Sequence, residues 1–396
     1  MAAATDESLD YTTLLRRLTA EHPEYEAMRH EIDAAKAAVN VATALPDPMI
    51  RIELMDIDRD NPRLLPGQTG STLYTWEQMF PLWGKRGLKG DVATAEVAIR
   101  TAGATQTLAE LRAMLRMAYA ELYVAQRGQI INDEVLVLLR EMERNAQARY
   151  ANGLAAQQDV IKAKAEQSIL LAEQEMLRGE AARAQATINS LVGQPPETTL
   201  PPVTALPSLA GFEHAYLELQ RQQGGQTPTM VAANANIQGR QAARELAERE
   251  WYPDLTVGIT PVQVDDKFES WQLMFGFSVP IFGTRSGMEA EASAMLLTAK
   301  SRRDAELRKL LSTATQVLAD YRAAWKQEQI YVQQLLPESE LSFRSASAGY
   351  QSGKVDFDTL IEAERQIRQA RLLGLAAAVK QQRAAAQFEQ LTGMQP

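Results

Sequence analysis

The chain carries its own plan twice. "YANGLAAQQDVIKA", residues 150–163, returns as "YQSGKVDFDTLIEA", residues 350–363, so that Tyr150 aligns with Tyr350 and Gly153 with Gly353. "FPLWGKRG" (80–87) returns as "VPIFGTRS" (279–286), and "LVGQPP" (191–196) as "LTGMQP" (391–396). "LPDPMIRI" (45–52) returns as "YPDLTVGI" (252–259), and "HPEYEAMRHEI" (22–32) as "TPTMVAANANI" (227–237). Matches in one order at a nearly constant spacing mark an internal duplication. Each half reads helix, strand, strand, long helix, glycine turn, helix. The expected division is a first repeat over 1–196, a linker over 197–226 rich in Pro, Gly and Gln, and a second repeat over 227–396.

The helices this implies are long. No proline interrupts 88–150, and about 60 helical residues span roughly 90 Å. Apolar residues fall at alternating spacings of three and four: Leu108, Leu111, Leu115, Ala118, Leu122 and Ala125, then Leu307, Leu310, Ala314, Val317, Tyr321 and Ala324. Such a seam packs helices side by side, and its alanines let backbones approach closely. Pro337 should kink or loosen the second long helix. Gly153 and Gly353 stand where each must stop, because glycine adopts the left-handed conformation cheaply. The hairpins are expected over 88–193 and 287–393, with tips near 153 and 353.

Four stretches alternate with period two and are expected as strands, at about 48–55, 72–80, 254–261 and 271–279. Ile50, Ile52 and Leu54 oppose Arg51 and Glu53; Trp271, Leu273, Phe275 and Phe277 oppose Gln272 and Met274. Short strands with one apolar face fit a transmembrane barrel; they also fit a half-buried soluble sheet. A four-stranded sheet cannot close on itself, and single-chain barrels start at about eight strands. A barrel therefore requires several copies, three giving twelve strands. Trp76, Trp83, Trp251, Trp271 and Phe282 lie in or beside the strands, as an aromatic girdle would or as core aromatics would. The stretches 56–70 and 262–270 are polar and are expected as loops.

Composition removes several functions. The formal charge of −9 argues against nucleic acid, whose phosphates need a basic surface. With no cysteine and three scattered histidines, thiolate sites and the common zinc patterns are absent. No base, nucleophile and oxyanion set converges, so neither enzyme nor cofactor is expected. The methionines read as core filler. No apolar run reaches the length of a transmembrane helix. "MAAATDESLD" lacks a signal-peptide pattern, which fits either a cytoplasmic protein or a mature form whose signal has been removed.

Taken in their duplicated order, the tip motifs, the "PLWGKRG" and "PIFGTRS" turns and the "LVGQPP" and "LTGMQP" helix ends resemble the TolC-like outer membrane factors, from about Leu9 to Gly393. The "FPLWGKRG" turn is similar to the CzcC/CusC-like heavy-metal efflux branch. The resemblance implies a mostly α protein with a small transmembrane β part: a homotrimer with a 12-stranded β-barrel in outer membrane lipid and a 12-helix periplasmic α-barrel. It implies an exit duct that docks to a periplasmic adaptor and, through it, to an inner-membrane pump of the resistance-nodulation-division type. A multidrug or type I secretion duct, and a soluble coiled-coil scaffold, are the alternatives.

The resemblance also assigns residues. Asp159 falls at the gate aspartate, Tyr350 at its tyrosine partner, and Glu362 in the acidic constriction ring, with Asp358 nearby. The tips at Gly153, Gly353 and Lys354 would meet the adaptor. Two positions depart from the pattern: Thr359 replaces a ring acid, and Val355 replaces the gate arginine. Asp356 reads best as a helix cap.

Overall fold

The computed structural model describes residues 9–279 and 283–394. In chain order the elements are α1 (Tyr11–Glu21), α2 (Pro23–Thr43), β1 (Met49–Met55), β2 (Ser71–Phe80), α3 (Lys85–Ala151), α4 (Gln157–Leu191) and α5 (Phe212–Arg221). There follow α6 (Pro228–Arg249), β3 (Leu255–Val264), β4 (Lys267–Phe277), α7 (Thr284–Ile330), a π turn (Tyr331–Leu335), α8 (Leu336–Gln351) and α9 (Phe357–Thr392). The chain divides into two compact units that cut across the sequence repeat. One holds the chain up to Ala27, Ala104–Pro228 and the chain from Leu307; the other holds Met28–Gly103 and Thr229–Glu306.

The second unit contains the sheet, an antiparallel meander in the order β1-β2-β3-β4. Its register sets Ile50 opposite Trp76, Trp76 opposite Ile259, and Ile259 opposite Leu273. One face is thus an apolar band, and that face is the open one: Ile50 is 73% exposed and Leu273 68%. On the opposite face Thr75 and Thr260 are buried, and the Thr260 hydroxyl lies 2.9 Å from that of Thr75 as its donor. A soluble sheet buries its apolar face; this one leaves it open.

The hairpin of β3 and β4 corrects the expected 262–270 loop. Pairing continues to Val264 and Lys267 around a tight turn in which Asp265 has φ +49°. The charged run Asp265–Lys267 and a register shift at Val262/Gln263 break the alternation that would have marked the extension. The 56–70 stretch contains no regular element.

The duplicated "PLWGKRG" turn explains itself here. Trp83 (φ +62°) and Gly84 (φ +76°) are consecutive left-handed residues that swing the chain from β2 into α3. The strain at Trp83 is offset by its Nε1–H donating to the Pro253 carbonyl at 2.8 Å and by packing on Tyr252, centroids 5.1 Å apart. Buried Lys85 donates to the Tyr252 carbonyl and pairs with Asp254, each at 2.9 Å. Arg86 caps α2 through the Thr43 carbonyl. In the second copy Arg285 pairs with Glu250 at 2.9 Å. The motif bolts each strand-to-helix turn to the preceding helix.

In the first unit the heptad seam is the core. Leu108, Leu111, Leu115, Ala118 and Leu122 pack with Leu14, Leu18 and Ile188, while Ala314, Val317 and Leu318 pack with Phe212 and Phe388. The 197–226 stretch is more than a linker: it includes α5, whose Phe212, Tyr216 and Leu219 form a buried stripe. The glutamines and glycines that follow the helix, Gln222–Gln226, masked that stripe. Pro337 has its expected effect. The Leu336 N–H reaches back to the Tyr331 carbonyl, and this widened turn precedes the ring that lacks an N–H.

Candidate functional site: the hairpin tips

Both tips use the same backbone device. Gly153 (φ +69°) and Gly353 (φ +75°) follow α3 and α8. The Leu154 N–H donates to the Arg149 carbonyl and the Lys354 N–H to the Gly349 carbonyl, both at 2.8 Å. These bonds satisfy carbonyls that the helix ends leave unpaired. Gly153, Gly353 and Lys354 are all exposed.

The side chains around the two tips differ. Tyr350 is 3% exposed. Its hydroxyl donates to Asp159 Oδ2 at 3.1 Å, and its ring meets Phe357 edge-on at 5.3 Å. Burial, then the Asp159 carboxylate, pushes the Tyr350 phenol up to about 12. Tyr150, its counterpart, is 47% exposed. Asp356 caps α9, accepting from the Thr359 hydroxyl at 2.6 Å and the Thr359 N–H at 2.9 Å, contacts that hold its carboxyl below the usual range. Ala156 at the start of α4 supplies no side-chain cap.

Asp358 lies against Lys162 of α4, at 2.5 and 2.7 Å. Glu362 is exposed and has no ion pair within 4 Å among the described residues. Behind the tips, further pairs cross from hairpin to hairpin: Arg365 with Glu166 at 2.6 Å, Arg368 with Glu173 at 2.8 Å, and Arg371 with Glu134 at 2.6 Å. Among them Glu364 is 1% exposed, and neither of its oxygens finds a hydrogen-bond partner. Arg368 Nε stands 3.9 Å away. Burial pushes the Glu364 carboxyl up to about 7, against the opposing pull of Arg368.

Sequence reasoning missed Arg149. Its Nη1 donates to the carbonyls of Tyr350 (2.7 Å) and Gln351 (2.9 Å), and Nη2 to that of Leu154 (3.3 Å). Its guanidinium lies 4.8 Å from the Tyr350 ring centre. A basic residue in the last turn of α3 was the available signal.

In the other unit, Trp83 lies at the junction of β2 with α3 and Trp251 at that of α6 with β3, both beside Tyr252. Trp271 pairs with Pro261, and Tyr74 packs on Phe268 with centroids 6.1 Å apart. Six strand residues separate Tyr74 from Phe80 and Trp271 from Phe277, about 20 Å. Trp76 lies between these two aromatic levels. Phe282 is outside the described residues. Among the described residues, no group of three or more His, Asp or Glu is placed to hold a metal, and no helix is long and apolar enough to cross a membrane.

A family model described as outer membrane efflux protein matches residues 14–194 and 221–394. The cobalt-zinc-cadmium resistance protein CzcC of Cupriavidus metallidurans is 24% identical over 379 residues, covering 93% of this chain and 86% of CzcC. The outer-membrane channel OprN superposes with a TM-score of 0.82 at 20% identity, over 98% of this chain and 91% of OprN. CusC superposes with a TM-score of 0.82 at 17% identity, over 97% of this chain and 92% of CusC.

Proposed function

The chain belongs to the outer membrane efflux protein family, and from that premise we propose that three copies form a passive exit duct for heavy-metal cations. The observation that carries the membrane part is the inverted sheet. Its apolar face is open, with Ile50, Trp76, Leu273 and Phe275 all exposed, while the central strands bury Thr75 and Thr260 on the other face, an arrangement that suits a lipid-facing wall. A coiled-coil scaffold with a small packed sheet would bury the face that is open here. The outer edges of β1 and β4 have no partner strand among the described residues. Joining β4 of one copy to β1 of the next, three times over, closes a twelve-stranded barrel and removes both edges.

The aromatics support the same reading. Trp83, Trp251 and Tyr252 supply one belt. Trp271, Tyr74 and Phe268 supply a second about 20 Å along the strands, close to the height of an apolar band. Trp76 sits inside the band.

Repeated around a threefold axis, Glu362 would form a ring of like charge that concentrates cations. The Asp159–Tyr350 bond would hold the narrow end shut, and the exposed tips would dock an adaptor linked to an inner-membrane pump. The chain has no phosphate-binding loop of its own. The metal class rests on the similarity to CzcC.

In planar bilayers the detergent-purified protein should conduct, and Asp159→Ala combined with Tyr350→Phe should raise the single-channel conductance. Cells lacking the protein should lose tolerance to divalent heavy metals. A protein that stays monomeric and dispersed without detergent and carries no current overturns the duct. Unchanged metal tolerance with lost drug tolerance overturns the substrate.

A further inference from the structure

We infer that Arg149 is the residue that clamps the two hairpin tips of each chain together, and so sets how readily the narrow end of the duct opens. The gating consequence rests on the duct reading above; the clamp itself does not.

The geometry singles out this side chain. The carbonyls of Tyr350 and Gln351 are the last of α8, at a helix end that carries partial negative charge; that of Tyr350 also accepts from the Gly353 N–H at 3.0 Å. Arg149 reaches them from the other hairpin, at 2.7 and 2.9 Å, while its second terminal nitrogen holds the carbonyl of Leu154 beyond its own helix. One planar fork therefore binds both tips. A lysine, with a compact ammonium on a flexible stem, cannot reproduce that planar fork. No carboxylate lies within 4 Å of the guanidinium among the described residues, so its charge is directed to these carbonyls and to the face of the Tyr350 ring.

Tyr350 is consequently held on four sides: Arg149 on its carbonyl and ring face, Phe357 on its edge and Asp159 on its hydroxyl. The Asp159 contact is one hydrogen bond. The Arg149 contact is two bonds across the hairpins plus the ring face; both contacts are charge-assisted, and that of Arg149 has more points of attachment. The duplication shows that the clamp is one-sided. The residue two hundred positions after Arg149 is Gly349. Glycine supplies no reciprocal side chain there, and a Cβ would crowd the Val355 side chain at 3.0 Å. With Val355 at the position where the resemblance expected an arginine, the guanidinium reaches the tip from the first hairpin.

The chain's lack of cysteine makes the test direct. Spin labels on Asn152→Cys and Ser352→Cys, in a doubly labelled chain diluted into excess unlabelled chains, report the separation of the two tips within one chain. With Arg149 present the distance distribution should be narrow. Arg149→Met should broaden and lengthen it, and Arg149→Lys should fail to restore it. In bilayers both variants should conduct more than the parent, with Arg149→Met above Tyr350→Phe. An unchanged distribution in Arg149→Met, or full restoration by lysine, overturns the clamp. If Arg149→Met does not fold, as judged by its helical signal, Arg149→Lys alone decides by the same criterion. A parent protein that carries no current while the distances respond as expected sinks the duct and leaves the clamp standing. Altered distances with unaltered conductance overturn the gating role.

Discussion

The two hairpins share a backbone and differ in nearly everything attached to it. Gly153 and Gly353 have the same sign of φ and close the same bond across the helix end. Yet Tyr150 is open where Tyr350 is enclosed, Ala156 is bare where Asp356 caps, and Arg149 projects where Gly349 has nothing to project. α3 runs unbroken for 67 residues, while its counterpart is divided by a π turn before Pro337. Duplication preserved what a helix reversal demands: a left-handed residue and satisfied terminal carbonyls. It left the side chains free to specialise, so that one hairpin grips and the other is gripped.

The largest effect that could break this asymmetry is at the tyrosines. Tyr350→Ala should destabilise the tip by about 3–5 kcal/mol, as a buried aromatic does, read as lost hydrogen-exchange protection in α8 and α9. Tyr150→Ala should stay within about 0.5 kcal/mol. An equal loss at Tyr150 would mean that another copy covers it and that the asymmetry is not a property of one chain.

Next comes pH. Folding raises the Glu364 carboxyl from 4.5 to about 7, so the packed hairpins hold this proton better than the unfolded chain does. Its contribution is therefore full below about pH 4.5 and is lost as pH rises to about 7. Subtracting the stability profile of Glu364→Gln from that of the parent should reveal a decline over that window. A flat difference would show that Arg368 and Arg365 already compensate the charge of Glu364 beside Glu166.

Smaller effects sharpen the shared part. Gly153→Ala and Gly353→Ala should each cost about 1–2 kcal/mol, the left-handed penalty. A new Cβ meets nothing within 4 Å at Gly153 and only the Arg149 side chain, at 3.5 Å, at Gly353. Thermal melts should shift equally, and a much larger loss at Gly353 would mean that Arg149 cannot yield. Smallest of all, Ala156→Asp should stabilise the start of α4 by about 1 kcal/mol by adding the missing cap, seen as slower exchange in its first turn. No change would mean that α4 does not fray there.

Much of this was legible in the residues. The 200-residue echo, the heptad seam, the glycine stops and the alternating strands follow from periodicities of 3.6 and 2 and from glycine's freedom at positive φ. They are local rules, written in neighbouring residues. The Asp356 cap and the Pro337 disturbance are local in the same sense. The Asp159–Tyr350 pairing was expected only through family resemblance, since the two residues are 191 positions apart.

Other features were not local. Composition could not tell which face of the sheet is covered, because alternation reads the same whether the apolar side points to a core or to lipid. It could not find Arg149, whose partners are backbone carbonyls 201 and 202 positions away and carry no residue identity. It could not distinguish Glu364, buried without a hydrogen-bond partner, from exposed Glu362 two residues earlier. Sequence alone determined the elements and their repetition, because those depend on what each residue permits its neighbours. Tertiary structure decided which charges are paired, which are stranded and which tip holds the other, because those depend on distances that only packing sets.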